Sequence, residues 1–322
     1  MARLVHIGGA VMDYVYHVSG LPERAAELMA SSFARLPGGA VNMMVAARRT
    51  GLATACGGAL GTGPDGDALR AFLADEDIDV LLAPQADIDS GNCVVLITPD
   101  AERSFISFPG AEAHVATFDA LLKQLSPGDW LAVSGYVLSY PCSREAVLAL
   151  VENVDPGVSV IFDPTPVIAD VPQAALTRML ARASWMSANM RELATITGGP
   201  AGVDGAAALL KTRMPSCRGI VLRDGENGAH LVESGQESAT VPGFRVAAID
   251  TNGAGDTHLG AFVGALARDL TPLDAVRYAN AASAIAVTRR GGASGPSHQE
   301  IIHFLSLADQ DRQRTGRLKL GH

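Results

Sequence analysis

The sequence has 322 residues, of which 48% are hydrophobic and 18% are charged, a balance typical of a folded globular chain with a sizeable core. Its formal net charge of -9 argues against a broad basic surface for nucleic acid or anionic membranes, and no apolar run approaches the roughly 18 residues of a membrane span. The N-terminus lacks a signal-peptide pattern, and the widely spaced Cys56, Cys93, Cys142 and Cys217 form no disulfide or zinc pattern, so a reduced, cytoplasmic protein is the simplest expectation.

Short apolar runs alternate with helix-like segments along most of the chain. The alternation begins with a predicted buried strand in "RLVHIGGAV", which starts at Arg3. This pattern predicts an α/β fold, with a mainly parallel sheet covered by helices on both faces. The later segments are "NMMVAARRTG", "TACGGALG", "DALRAFLADEDI", "WLAVSGYVL", "REAVLALVENV", "VSVIFDPTP", "ASWMSANMRELATITG" and "RGIVLRDG".

Two regions break the alternation. Residues 14–37 and 90–108 are predicted as strands without intervening helices, the second region turning at Pro99 and Asp100. We expect them to form a small antiparallel sheet that stands off the main body. Residues 311–322 are predicted as a polar, partly frayed tail.

A glycine-rich turn at residues 57–66 imitates a dinucleotide fingerprint. Gly61, Gly63 and Gly66 satisfy G-x-G-x-x-G between a predicted strand and a predicted helix. The motif comes too late to lie in the first strand-helix unit, and Asp65 would repel a pyrophosphate. An ordinary glycine-rich turn is therefore the preferred interpretation, and a nicotinamide-dependent oxidoreductase is a distant alternative.

The strongest chemical signal is "DTNGAGD" at residues 250–256. Gly253, Ala254 and Gly255 expose successive backbone N–H groups at the start of a predicted helix, where an anion such as phosphate is attracted. Asp256 would repel a phosphate, but it is well placed to take a proton from an alcohol that attacks phosphorus. Its plain alternative is a first-turn helix acid that stabilises the helix by about 0.3–1 kcal/mol.

A second glycine pair supports a ligand site. Gly38 and Gly39 run into a predicted helix and allow close approach of a ligand, and Asn42 could bind hydroxyl groups. Helix capping suits Asn42 less well, because Asn42 lies inside the apolar pattern. Asp13 follows the first strand, where open α/β sheets bind ligands, although alone it would be an ordinary turn residue.

Taken together, these residues resemble the PfkB, or ribokinase, family of carbohydrate kinases. Residues 250–256 match the signature D-T-x-G-A-G-D, and "VPGFRVAAID", "YANAASAIAVTRRGGASGPS", "GTGPDGDAL" and "ERSFISFPGA" follow the family's order. The resemblance covers residue 3 to about residue 306. It implies a single ribokinase-like domain over residues 1–322, with a three-layer α/β/α fold, a mainly parallel sheet and a small antiparallel β lid. It also implies that the glycines of residues 61–66 form a turn common to the family and need not bind a dinucleotide.

The resemblance also implies roles for individual residues. Asp256 would be the general base, and the N–H groups of Gly253, Ala254 and Gly255 would form an anion hole for the transferring phosphoryl group. Sugar hydroxyls would be held by Asp13, Gly38, Gly39 and Asn42, and Arg103 or His17 of the lid could contact a charged acceptor, although each is also plausible as a solvated strand residue.

For the nucleotide, the resemblance implies ATP with Mg²⁺. Asn189 and Glu192 match the motif that organises Mg²⁺, Glu192 through water, and Asn280 falls where adenine is approached. Arg223, Gly225 and Gly228 stand in the place of the nucleotide loop, with Arg223 replacing the family's commoner small hydroxyl residue. Asp250 and the carbonyl of Asn252 belong to the loop that binds K⁺ in some members, and the K⁺ requirement of this chain stays open.

The expected function is ATP-dependent phosphorylation of a hydroxyl of a sugar or sugar derivative. No acid lies between Trp130 and Tyr140, where ribokinase carries one near its sugar, which weakens ribose as the substrate. A nucleoside acceptor is the nearest alternative, disfavoured by few aromatic residues in the lid segments, and a catalytically silent sugar sensor is a third. From the resemblance we also expect a homodimer formed through the lid.

Overall fold

The computed structural model describes residues 2–100, 102–199 and 201–319, with only the backbone described for 311–319. The strands of the main sheet are β1 Arg3–His6, β4 Ala53–Cys56, β5 Asp79–Val80, β8 Trp130–Ser134, β9 Ser159–Asp163, β10 Trp185–Asn189, β11 Gly219–Arg223, β12 Gly228–Glu233 and β13 Ala239–Pro242. These nine strands lie in the order β13-β12-β11-β10-β9-β8-β1-β4-β5. The seven strands from β11 to β5 are parallel, whereas β12 and β13 are antiparallel.

The helices connect and cover these strands. They are α1 Ala40–Arg49, α2 Pro64–Asp75, α3 Asp119–Leu122, α4 Gly135–Ser139, α5 Arg144–Asn153, α6 Gln173–Arg182, α7 Met190–Thr197, α8 Val203–Arg213, α9 Ala254–Leu266, α10 Pro272–Ala286 and α11 His298–Lys319.

Both faces of the main sheet are buried, and alternate residues of each strand point to opposite faces. Along β11, Ile220 and Leu222 join the core formed with α5, α6, α7 and α8. Val221 faces the other way and joins the core formed with α1, α9 and α10. The predicted three-layer α/β/α arrangement is thereby confirmed.

A second, smaller sheet forms the lid. Its four strands, β2 (Ala10–His17), β3 (Ser32–Gly39), β6 (Asn92–Ile97) and β7 (Arg103–Phe108), lie in the order β3-β2-β6-β7. Both hairpins are antiparallel, but β2 and β6 pair in parallel where the hairpins meet. The first lid strand begins at Ala10, not at residue 14, so Asp13 belongs to the lid itself.

The last helix extends further than the sequence indicates. The backbone of 311–319, predicted as a partly frayed tail, continues α11, and residues 320–322 lie outside the described part of the chain. Within the described residues, no helix is both long enough and apolar enough to cross a membrane.

Candidate active site

Close backbone packing holds the signature turn, residues 250–256, at the N-terminus of α9. Gly253 adopts a left-handed conformation (φ +70°) and caps the helix, and a Cβ at this position would overlap the carbonyl oxygen of Gly292. Ala254 N donates a long bond of 3.3 Å to Thr251 O. Within the described residues the N–H groups of Gly253 and Gly255 have no partner, so two of the three predicted anion-hole donors are free to bind a ligand.

Asp256 lies in the first turn of α9, and its side chain accepts a hydrogen bond from α1. Asn42 of α1 donates from Nδ2 to Asp256 Oδ2 at 3.1 Å, while its own buried Oδ1 has no partner in the described structure. Desolvation, and then the charge of Asp163, raise the pKa of Asp256 to about 6, against the opposing effect of the Asn42 hydrogen bond. A carboxylate with a pKa near neutrality can exchange a proton with an alcohol at physiological pH.

Lid residues lie on the Asn42 side of Asp256. Gly38 is so close to Asp13 that a Cβ would overlap the carboxylate, and Gly39 packs on the carbonyl of Gly9 with φ +60°. Burial, and then the charge of Asp256, raise the pKa of Asp13 to about 7. The four residues predicted to hold sugar hydroxyls, Asp13, Gly38, Gly39 and Asn42, therefore lie together near Asp256.

A charged cluster lies against the turn at Gly255. Arg223, the last residue of β11, donates from Nη2 to Asp163 Oδ1 at 3.4 Å and to Glu192 Oε2 at 3.2 Å. Its Nη1 lies where a Cβ of Gly255 would be, so the guanidinium touches the predicted anion hole. Burial raises the pKa of both Asp163 and Glu192, and the charge of Arg223 opposes that rise.

Asn189 and Glu192 form a capping box at the start of α7. Asn189 Oδ1 accepts from Glu192 N at 2.9 Å, and Glu192 Oε2 accepts from Asn189 N at 2.7 Å. This capping explains the Asn-x-x-Glu motif structurally, and the role of Asn189 and Glu192 near Mg²⁺ stays a prediction. Among the described residues, no three His, Cys, Asp or Glu side chains are grouped closely enough to ligate a metal. When Asp163, Glu192 and Asp256 are all ionised they exceed Arg223 by two negative charges, and such an excess suits a hydrated divalent cation, which would favour their ionised forms.

All five residues predicted to bind ATP line one cleft of about 970 Å³, which also contains Ala254 and Gly255. The side chain of Asn280 is already engaged there, since Nδ2 donates to Val241 O at 3.0 Å and Oδ1 lies 3.0 Å from His258 Nε2. Asn280 therefore positions protein groups as well as facing the cleft. The five residues are Asn189, Arg223, Gly225, Gly228 and Asn280.

The dinucleotide-like turn offers no comparable anion site. The carboxylate of Asp89 accepts from Asp65 N at 3.1 Å and from Gly66 N at 2.7 Å, at the start of α2. A Cβ at Gly66 would overlap Gly61 O. An acidic side chain thus already occupies the donors that a pyrophosphate would need, and the glycines allow close packing.

Arg103 makes an ion pair that the sequence did not predict. Its Nη2 donates to Asp250 Oδ1 at 2.5 Å, and the two side chains are only 17% and 15% exposed. Asp250, a predicted K⁺ ligand with Asn252, thus receives an arginine from the lid. The other lid residue considered for an acceptor contact, His17, has its Nδ1 2.9 Å from Ser32 Oγ within the lid.

Three residues at the site were missed by sequence reasoning. Asp163 ends β9 as Asn189 ends β10 and Arg223 ends β11, and these neighbouring parallel strands deliver their last residues to one edge. Applying that rule to "VIFDP" could have found Asp163. Tyr136 follows β8 at the same edge, and its pKa is raised by burial and then by the neighbouring ionisable groups Cys93, Asp256, Asp163 and Asp13. For buried His258 we find no local signal.

The α/β/α fold carries a cleft large enough for a nucleotide, a glycine turn at a helix N-terminus and an acid near a lid. This combination is typical of a small-molecule phosphotransferase. Residues 1–299 match the model of the pfkB family carbohydrate kinases. The chain therefore belongs to the pfkB family of carbohydrate kinases.

Individual relatives agree with this assignment. The Escherichia coli K12 protein described as uncharacterized sugar kinase YegV is 31% identical over 299 residues, which cover 92% of each chain. The structure is similar to ribokinase from Thermotoga maritima, with a TM-score of 0.83 and 23% identity over 95% of this chain and 100% of that one. It is also similar to aminoimidazole riboside kinase from Salmonella enterica, complexed with aminoimidazole riboside and an ATP analog, with a TM-score of 0.75 and 27% identity over 94% and 100% of the two chains.

Proposed function

We propose that the protein transfers the γ-phosphoryl group of ATP to a hydroxyl of a sugar or sugar derivative, with Asp256 as the general base. The observation that carries the proposal is that Asp256 adjoins two groups of residues. Asn42 donates to its carboxylate and Asp13 of the lid feels its charge, while Ala254 and Gly255, which precede it in the chain, line the cleft. An acid in that position can face an acceptor hydroxyl while the turn faces the phosphoryl group.

In the proposed reaction, Asp256 takes the hydroxyl proton as the oxygen attacks phosphorus. The bond from the γ-phosphorus to the bridging oxygen breaks, and ADP leaves. The free N–H groups of Gly253 and Gly255, with Arg223 against the turn, would stabilise the charge on the equatorial phosphoryl oxygens. The lid would exclude water, which otherwise competes as an acceptor.

Mg²⁺ would neutralise the phosphates of ATP and help to align them. The three acids Asp163, Glu192 and Asp256 around the single cation Arg223 support a divalent cation held through water, because in their ionised forms they exceed Arg223 by two negative charges. Glu192 is the predicted contact, although its carboxylate also accepts the capping bonds of Asn189.

A nucleoside acceptor is the second candidate, and Tyr136 favours it. Tyr136 is 39% exposed and lies near Asp256, Asp163 and Asp13, where its ring could stack on the flat base of a nucleoside. The structural similarity to aminoimidazole riboside kinase agrees with this candidate.

We also propose that two chains associate through their lids. Phe105, Ile106 and Phe108 of the edge strand β7 are 56%, 65% and 70% exposed, and an apolar edge of this kind is commonly covered by a partner. Light scattering should give twice the chain mass, whereas a monomer at micromolar concentration would contradict the proposal.

An ATP-consumption screen over pentoses, hexoses, keto-acid sugars and nucleosides tests the proposed function. We expect at least one class to be phosphorylated, with product mass increased by one phosphoryl group. A sugar that raises the melting temperature without being phosphorylated would instead support a silent sensor. Parallel reactions with the Asp256→Asn variant give the background for contaminating kinases.

A further inference from the structure

Arg103 and Asp250 join the lid to the signature turn. Arg103 begins β7, the edge strand of the lid, and Asp250 begins the signature. The Nη2–Oδ1 distance is 2.5 Å, and both side chains are less than one-fifth exposed. An ion pair so enclosed is less screened by solvent than a surface pair.

The Asp250 carboxylate also organises the backbone that surrounds the anion hole. Oδ1 accepts a second hydrogen bond from Asn252 N at 2.8 Å, and Oδ2 accepts from Gly291 N at 3.1 Å. Gly291 is next to Gly292, whose carbonyl packs against Gly253. The carboxylate thus connects the two backbone segments that set the position of the glycine turn.

The charge of Asp250 needs compensation in this position. An uncompensated carboxylate so close to the turn would lower the positive potential that attracts a phosphoryl group. In the described structure Asp250 has three N–H donors, of which only the guanidinium carries a full positive charge. A K⁺ ion bound to this carboxylate, as the family resemblance implies, would compete with Arg103 for the same oxygen.

We propose that Arg103 is the built-in cation of the signature turn, so that lid closure itself supplies the charge for which other members of the family use K⁺. Arg103 then acts as a positioning residue through Asp250 and does not contact the acceptor. Catalysis becomes coupled to the lid, because an open lid withdraws the positive charge from Asp250 and weakens the anion hole. The proposal rests on the proposed function only for its activity measurement.

The test is a K⁺ titration at constant ionic strength, with N-methylglucamine as the replacement cation. For the unmodified protein we expect kcat to change by less than about two-fold, whereas Arg103→Met should lose about ten-fold or more without K⁺ and regain most of it with K⁺. Arg103→Lys should keep the K⁺ independence. Arg35→Met is the matched control, because Arg35 is a second lid arginine that pairs with the body at Asp65, away from the turn.

A melting-temperature measurement separates this proposal from the proposed function. Arg103→Met should gain a K⁺-specific increase that neither the unmodified protein nor Arg35→Met shows, whether or not an acceptor has been found. Circular dichroism verifies that the variants fold, and Arg103→Gln, which also removes the charge, provides the measurement if Arg103→Met does not fold. The proposal is overturned if the unmodified protein is strongly K⁺-activated, or if K⁺ fails to restore a folded variant that lacks the charge, Arg103→Met or Arg103→Gln.

Discussion

The acidic limb of the pH–activity profile should move in opposite directions when two neighbours of Asp256 are changed. If Asp256 is the base, kcat/KM falls about ten-fold for each pH unit below the pKa of the free enzyme, which desolvation has raised to about 6. Asn42 lowers that pKa through its 3.1 Å hydrogen bond, and the charge of Asp163 raises it.

The size of each effect follows from the contact. Asn42→Leu keeps the side-chain shape but removes a donor to a charged oxygen, and such a bond contributes about 1.5–3 kcal/mol, which corresponds to about 1–2 pH units upward. Asp163→Asn removes the largest charge effect on Asp256. It should therefore shift the limb downward, towards the ordinary carboxyl range.

The assay measures kcat/KM of each variant between about pH 4.5 and 8.5. The pH at which the acidic limb falls reports the pKa of the base and does not depend on how much activity the variant has lost overall. Melting temperatures at each pH exclude unfolding as the cause. Limbs that stay fixed, or that move in the same direction in both variants, would refute Asp256 as the titrating base.

Two further predictions concern the two sides of the site. The pKa of Asp13 is raised from 3.8 to about 7, so between these values the folded protein binds a proton that the unfolded chain does not, and stability falls as pH rises through this window. Asp13→Asn should therefore raise the free energy of unfolding, measured by urea titration, by about 2–4 kcal/mol relative to the unmodified protein at pH 8. At pH 4 it should raise this free energy by little, because Asp13 is then protonated in the unmodified protein as well. Equal differences at both pH values would contradict the burial of that charge. Arg223→Met should lower kcat with ATP by about 10²-fold, and Arg223→Lys should recover part of this loss. Initial rates equal to those of the unmodified protein would contradict a role of Arg223 in the anion hole.

The parts of the site that could be predicted from sequence are those in which local backbone chemistry decides the outcome. The glycines of residues 253–255 require a particular turn at a helix start, and Asp256 follows in the first turn whatever the rest of the fold does. The main sheet was predictable for a similar reason. Its strands are short continuous apolar runs, since both faces are buried.

Contacts between distant segments could not be predicted in the same way. Arg103 and Asp250 are 147 positions apart, and no periodicity indicates that a lid strand will close on the signature turn. The direction of Arg223 depends on strand order, because β11 lies two strands from β9 and so brings Arg223 to Asp163. The parallel pairing of β2 with β6 likewise depends on how two hairpins meet and not on either hairpin alone.

The most direct test of Asp256 as the base is to measure ligand binding and single-turnover phosphorylation on one preparation of Asp256→Asn. Asparagine keeps the shape of the side chain but cannot take the hydroxyl proton. We predict that ATP and the acceptor bind with affinities close to those of the unmodified protein, while the rate of phosphoryl transfer falls by about 10²-fold or more. Binding retained together with an unchanged rate of transfer would contradict the role of Asp256.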